Sequence, residues 1–210
     1  MIKKTINISY IDDRIDNILD RYLDDFCKNH NNNNRDFNYQ LNFSDYTFKS
    51  TDTYKTLLSN SIINNSNIII IDSRLFENEN SNLSKFTGEQ FKIILRQVLP
   101  FIKTIVISQN IPEDGSLTIK KFQANGTMNT DGAIDYYNEV MAPVLNSTIL
   151  AIIEEFEVLQ QLTLDNEVDP VLIGTIQSTI TGLHDTALFE KEDLDKLIDL
   201  FNEVKANYDY

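Results

Sequence analysis

The chain has 210 residues, 41% of them hydrophobic, one cysteine and a formal charge of −14. That length supports one domain with a sizeable extension, or two small domains. The lone Cys27 excludes an intrachain disulfide and a cysteine metal cluster, and no apolar run approaches the length of a membrane span.

The charge is unevenly spread. Fourteen of the 32 acidic side chains, but only three of the 18 basic ones, lie in residues 151–210. Phosphate contacts need Lys and Arg, so a nucleic-acid-binding output there is excluded and protein partners are favoured. Met1-Ile2-Lys3-Lys4 opens without the apolar stretch of a signal peptide, which makes a cytoplasmic location the expectation.

Thr5 to Ile11 reads as a first strand and ends in Asp12-Asp13. From Ile15, apolar residues at Ile18, Leu19, Tyr22, Leu23 and Phe26 recur with helical spacing and predict an amphipathic helix. His30 to Arg35 reads as a polar loop. Phe37, Tyr39, Leu41 and Phe43 alternate and predict a second strand. Tyr54, Leu57 and Leu58 mark a short helix. The run Ile68-Ile69-Ile70-Ile71 is aliphatic on both faces, as in the middle of a parallel sheet, and it ends in Asp72.

A polar loop from Glu77 to Lys85 follows. Gly88 then opens a helix with Phe91, Ile94, Leu95 and Val98 on one face, ended by Pro100. Thr104 to Ser108 is a fourth strand and Leu117 to Phe122 a fifth, carrying Lys120 and Lys121. Strands alternating with helices predict a parallel sheet covered on both faces. The rest reads as helical: a long segment from Asp135 to about Leu164, then shorter ones over 171–180 and 193–205.

Asp12-Asp13, Asp72, Ser108 and the lysine pair thus lie at the carboxyl ends of separate strands, where open α/β sheets bind ligands. If the first and third strands are neighbours, three carboxylates meet there, and a cation or proton must neutralise them. Each element has an ordinary alternative. Asp12 or Asp13 could cap the following helix, and Ser108 could be a plain strand-end hydroxyl. His184-Asp185 lacks the surroundings of a kinase histidine, and Cys27 has no neighbouring base to activate it.

In order and placement, Tyr10-Ile11-Asp12-Asp13, Ile69 to Leu75, Thr87-Gly88-Glu89-Gln90-Phe91, Ile105 to Ser108 and Ile119-Lys120-Lys121-Phe122 resemble the response-regulator receiver domain. The resemblance implies an α/β fold over residues 1–134, a flavodoxin-like, doubly wound, five-stranded parallel sheet. An acidic, all-α extension over 135–210 would follow. It makes Asp72 the phospho-acceptor. Mg²⁺ would be bound by Asp13 directly, by Asp12 mostly through water, by Asp72 and by the main-chain carbonyl of Arg74. Ser108 and Lys120 would contact the phosphoryl oxygens.

The chain departs from the family in three places. Lys121 stands where a proline usually follows the lysine, so Lys121 is the alternative to Lys120. Too few residues separate Ser108 from Lys120 for a full helix, so the fourth helix is expected to be reduced. Leu117 takes the aromatic switch position.

The expected function is Mg²⁺-dependent phosphorylation at Asp72, controlling association through the helical tail, with no enzymatic turnover. The implied partners are a histidine kinase or other phosphodonor protein and an effector protein. A homodimer through the 135–164 helix is a further expectation. The alternative is a phosphorylation-independent pseudo-receiver. A Mg²⁺-dependent phosphohydrolase fits poorly, because Arg74 stands where such enzymes need a second aspartate.

Overall fold

The computed structural model describes residues 4–75, 87–110, 118–123 and 130–164. Its centre is β3 (Ile68–Asp72), whose four isoleucines are fully buried. On one side β3 pairs with β1 (Lys4–Asp12), in a register that sets Tyr10 beside Ile70. On the other it pairs with β4 (Lys103–Ser108), which sets Ile70 beside Ile105. The strands β2 (Tyr39–Thr47) and β5 (Thr118–Lys120) close the edges. Every pairing is parallel and the order is β2-β1-β3-β4-β5. This is the flavodoxin-like α/β arrangement expected from the sequence.

The chain winds outward from β1 to β2, then returns to place β3 on the other side of β1. The winding direction therefore reverses between β1 and β3, and the crevice at their carboxyl ends is the natural ligand site of such a sheet. Asp12 and Asp72 are the last residues of these two strands.

Helix α1 (Asn17–Asn33) buries Leu19, Tyr22, Leu23 and Cys27. It runs on to Asn33, through the first part of the His30 to Arg35 segment expected to be a loop. The reason lies in Asn31, whose side-chain amide donates to the Leu41 carbonyl and accepts from the Leu41 N–H, both at 2.8 Å. These bonds satisfy backbone groups on the open edge of β2, an edge that would otherwise invite pairing with another chain.

The region expected to hold one short helix holds two, α2 (Tyr54–Leu58) and α3 (Ser61–Asn64). Thr53 caps the first and Asn60 the second. Helix α4 (Gly88–Val98) matches its expected span and starts from a capping box between Thr87 and Gln90.

The long helix expected from Asp135 is two helices, α5 (Thr130–Val140) and α6 (Ala142–Leu164), separated at the buried Met141. Helix α5 packs on α1 through Tyr137 and Tyr22, whose ring centres are 5.2 Å apart. Helix α6 buries Leu145, Ile149, Ile152 and Phe156, an apolar stripe at helical spacing. It meets the amino-terminal ends of three strands. Phe156 stacks on Tyr39 and lies under the Lys4 ammonium, and Glu155 pairs with Lys103.

The chain divides into two compact units, Met1–Val158 and Leu159–Tyr210. Of the β4–β5 connection, where the fourth helix is expected to be reduced, only Gln109 and Asn110 are described. Leu117, the 77–85 loop, the helices expected over 171–180 and 193–205, and His184 also lie outside the described residues. Among the described residues, no helix is long and apolar enough to cross a membrane.

Candidate functional site

The strand ends bring Asp12, Asp13, Asp72 and Ser108 to one polar cleft of about 320 Å³. The capping alternative for Asp12-Asp13 does not hold, because Asp16 caps α1 by accepting from the Ile18 and Leu19 N–H groups. Asp12 is thereby left to the site. It is only 2% exposed, and Asp72 only 7%.

The lysine that reaches the two acids is Lys121, not Lys120. Its Nζ lies 2.6 Å from Asp12 Oδ2 and 2.7 Å from Asp72 Oδ1, and the ammonium is buried with both carboxylates. Sheet parity explains the choice. Residues in register in a parallel sheet share a face, and side chains alternate along each strand. Asp72 is in register with Ile107, and Ile107 with Ile119. Continuing the alternation from Ile119 brings Lys121, not Lys120, to the face of Asp72. Lys120 is half-buried at the end of β5, and its carbonyl accepts from the Tyr136 hydroxyl.

Asp12 also has a partner that the sequence reading missed. The Tyr10 hydroxyl donates to Asp12 Oδ2 and accepts from the Asp16 N–H. Tyr10 lies two residues before Asp12 on the same strand, so both face the same way. That spacing is the signal that could have found it. Burial, then the adjacent Asp12 charge, pushes the Tyr10 phenol far above its ordinary range. Burial works against the Lys121 charge, but the Asp12 and Asp72 carboxylates outweigh it and hold the ammonium above the usual lysine range.

The remaining carboxylate oxygens take backbone donors. The Arg14 N–H bonds Asp12 Oδ1 at 3.1 Å, and the Arg74 N–H bonds Asp72 Oδ2 at 2.9 Å. Ser108 is buried at the cleft wall, and its Oγ accepts from the Asn110 N–H. Asp13 is half-buried and lines the same cleft.

Behind Asp72 the chain is packed tightly. The Gly88 N–H donates to the Ser73 carbonyl at 3.1 Å, and Thr87 bridges Arg74. A Cβ on Gly88 would sit 2.3 Å from the Asp72 carbonyl oxygen. Only glycine fits there, and its absent side chain lets α4 begin directly against the acid.

The carboxylate oxygens have the hard-donor chemistry that Mg²⁺ takes. They are not gathered into a ligand set, because the Lys121 ammonium fills the space between Asp12 and Asp72. Among the described residues no group of three or more His, Cys, Asp or Glu side chains is arranged to hold a metal. The neutralising charge in this arrangement is the lysine's. No family model matches the chain, and no curated protein matches it.

Proposed function

We propose that the protein is a receiver-like signalling module in which Asp72 accepts a phosphoryl group. The observation that carries this is the Lys121 ammonium bridging Asp12 and Asp72 at the sheet's switch point, with Ser108 at the same cleft. The Asp72 carboxylate would attack phosphorus in line with the donor's leaving group, forming an acyl phosphate as the bond to the donor breaks. Lys121 would exchange its contact with the carboxylate for one with the phosphoryl oxygens, and the Ser108 hydroxyl would donate to them. Such transfers depend mostly on positioning and charge neutralisation, which these groups supply.

Magnesium is part of the proposal only where Lys121 withdraws from between Asp12 and Asp72, which would free Asp13, Asp72 and Asp12 to hold it. When bound, it would offset the charge that the incoming phosphoryl group adds. The donor would be a histidine kinase or other phosphodonor protein, and the setting cytoplasmic. The acidic tail would bind an effector protein, or the 135–164 helical region a second copy of the chain. The protein would not be an enzyme with turnover.

One observation favours the alternative of a phosphorylation-independent pseudo-receiver. Lys121 already compensates both buried acids, and Asp12 is fully engaged by Tyr10, Lys121 and Arg14. The two are separated by incubating the protein with beryllofluoride or a small phosphodonor, with and without Mg²⁺, and measuring intact mass. An adduct that forms on the native chain and is lost in Asp72→Asn supports the phospho-acceptor. Absence of any adduct leaves the pseudo-receiver. Repeated release of phosphate from an ester would instead indicate a phosphohydrolase.

A further inference from the structure

The lysine that bridges the two acids stands just beyond the weakest strand of the sheet. β5 is three residues long, half-buried, and held by β4 on one side alone. An edge strand so short cannot by itself fix a side chain to within the tolerance of two charged hydrogen bonds.

Three further hydrogen bonds bracket Lys121. Its own N–H donates to the Ser108 carbonyl at 2.7 Å. The residue before it, Lys120, accepts at its carbonyl from the Tyr136 hydroxyl at 2.8 Å. The residue after it, Phe122, donates its N–H to the Tyr137 hydroxyl at 3.1 Å. Two adjacent tyrosines of α5 therefore grip the backbone on both sides of the site lysine.

The grip is itself anchored. Tyr137 is 1% exposed and packs on Tyr22, whose hydroxyl donates to Asn138 on the same α5 helix. The Tyr136 ring packs on Phe122 with centres 5.7 Å apart. Burial pushes the hydroxyls of both Tyr136 and Tyr137 above their ordinary range, so both stay protonated near neutrality.

We propose that Tyr136 and Tyr137 are positioning residues for Lys121: their hydroxyls hold residues 120–122 so that the ammonium reaches Asp12 and Asp72 together. The role deepens the phospho-acceptor proposal, on which its functional meaning rests. It also makes α5 the element mechanically continuous with the acid site. A shift of Lys121 toward a phosphoryl group on Asp72 would load these two hydrogen bonds.

The test uses the full chain with Tyr136→Phe, Tyr137→Phe and the pair combined, which keep the rings and remove only the hydroxyls. Lys121 is labelled with an amine-acylating reagent and its modification followed by peptide mass spectrometry, with Lys103 as internal reference. The expected result is at least a tenfold faster modification of Lys121 in the double variant, with Lys103 unchanged. The same substitutions are then made in a Lys121→Met background. Positioning through Lys121 makes the stability losses non-additive, whereas simple docking of α5 makes them additive. Unchanged Lys121 labelling with additive losses overturns the proposal.

Neither readout requires phosphorylation. A native chain that never forms the beryllofluoride adduct counts against the phospho-acceptor reading alone. A native chain that forms it, beside a double variant forming it at the same rate with Lys121 equally protected, overturns the positioning role alone.

Discussion

Lys121 Nζ and Asp72 Oδ1 are 2.7 Å apart at the carboxyl edge of the sheet, and the same ammonium reaches Asp12 at 2.6 Å. Both acids and the lysine are less than a tenth exposed. The three groups stand or fall together, because a buried charge without its partner is costly.

Lys121→Met removes the ammonium that lies between two buried carboxylates, and a loss of about 3–5 kcal/mol is expected. Asp72→Asn is milder, because Lys121 keeps Asp12. Urea unfolding of both variants at neutral pH checks this ordering.

Gly88→Ala pits two effects against each other. Alanine gains about 1 kcal/mol of helix propensity over glycine in a helix interior, and less at a first turn. Its Cβ, however, would sit 2.3 Å from the Asp72 carbonyl oxygen and 3.0 Å from its carbon, both backbone atoms. Forcing them apart costs about 1–3 kcal/mol. Net destabilisation is expected and, under the proposed phospho-acceptor role, a lower yield of Asp72 adduct, since the displaced atoms belong to Asp72 itself. A more stable variant with unaltered adduct yield would contradict the close contact.

The sheet was legible because its inner strands are aliphatic runs ending in polar residues. Ile68 to Asp72 can hardly be anything else, and Asp12, Asp72 and Ser108 follow from the strand ends. Lys121 was not separable from Lys120, because the choice depends on register between β4 and β5, and register is a pairing property that neither strand carries alone. Tyr10 was read only as a residue of the first strand, and its hydroxyl gains a purpose only once Asp12 is freed by Asp16. The Asn-rich segment looked like a solvated loop, because the partner of Asn31 is a strand edge that exists only in the folded sheet.

Asn31→Ala should expose that edge. Two hydrogen bonds to Leu41 are lost at a net cost of about 1 kcal/mol each, and unpaired backbone groups are left on β2. A drop in the urea midpoint is expected, accompanied by concentration-dependent association at high protein concentration in light scattering. Association unchanged from the native chain would show that the amide does not guard the edge.

Cys27 provides a probe of the same helix. It is 4% exposed, and burial, reinforced by the Asp24 charge, pushes its thiol up to about 12. The thiolate is the reactive form, so the native protein at pH 8 should resist thiol reagents while the urea-unfolded chain reacts at once. Fast labelling under native conditions would mean that α1 opens locally without global unfolding.

The alkaline limb of stability carries the signature of the acid site. Tyr10 in the unfolded chain loses its proton near pH 10 and Lys121 near 10.4. In the folded state both hold their protons to higher pH: Tyr10 through burial and the Asp12 charge, Lys121 because Asp12 and Asp72 outweigh its burial. Below about pH 10 both groups are protonated in both states, and their contribution is fully present. Above it the unfolded chain binds fewer protons than the folded one, so stability falls as pH rises. Buried Tyr137 adds to the same slope. Urea midpoints between pH 8 and 11.5 should therefore hold level and then decline steeply. Tyr10→Phe should start lower, having lost a hydrogen bond to a charged acceptor worth about 1.5–3 kcal/mol. It should then decline less steeply, because one titrating group has gone. A native profile that stays flat to pH 11 would contradict the burial of protonated Tyr10 and Lys121 against Asp12.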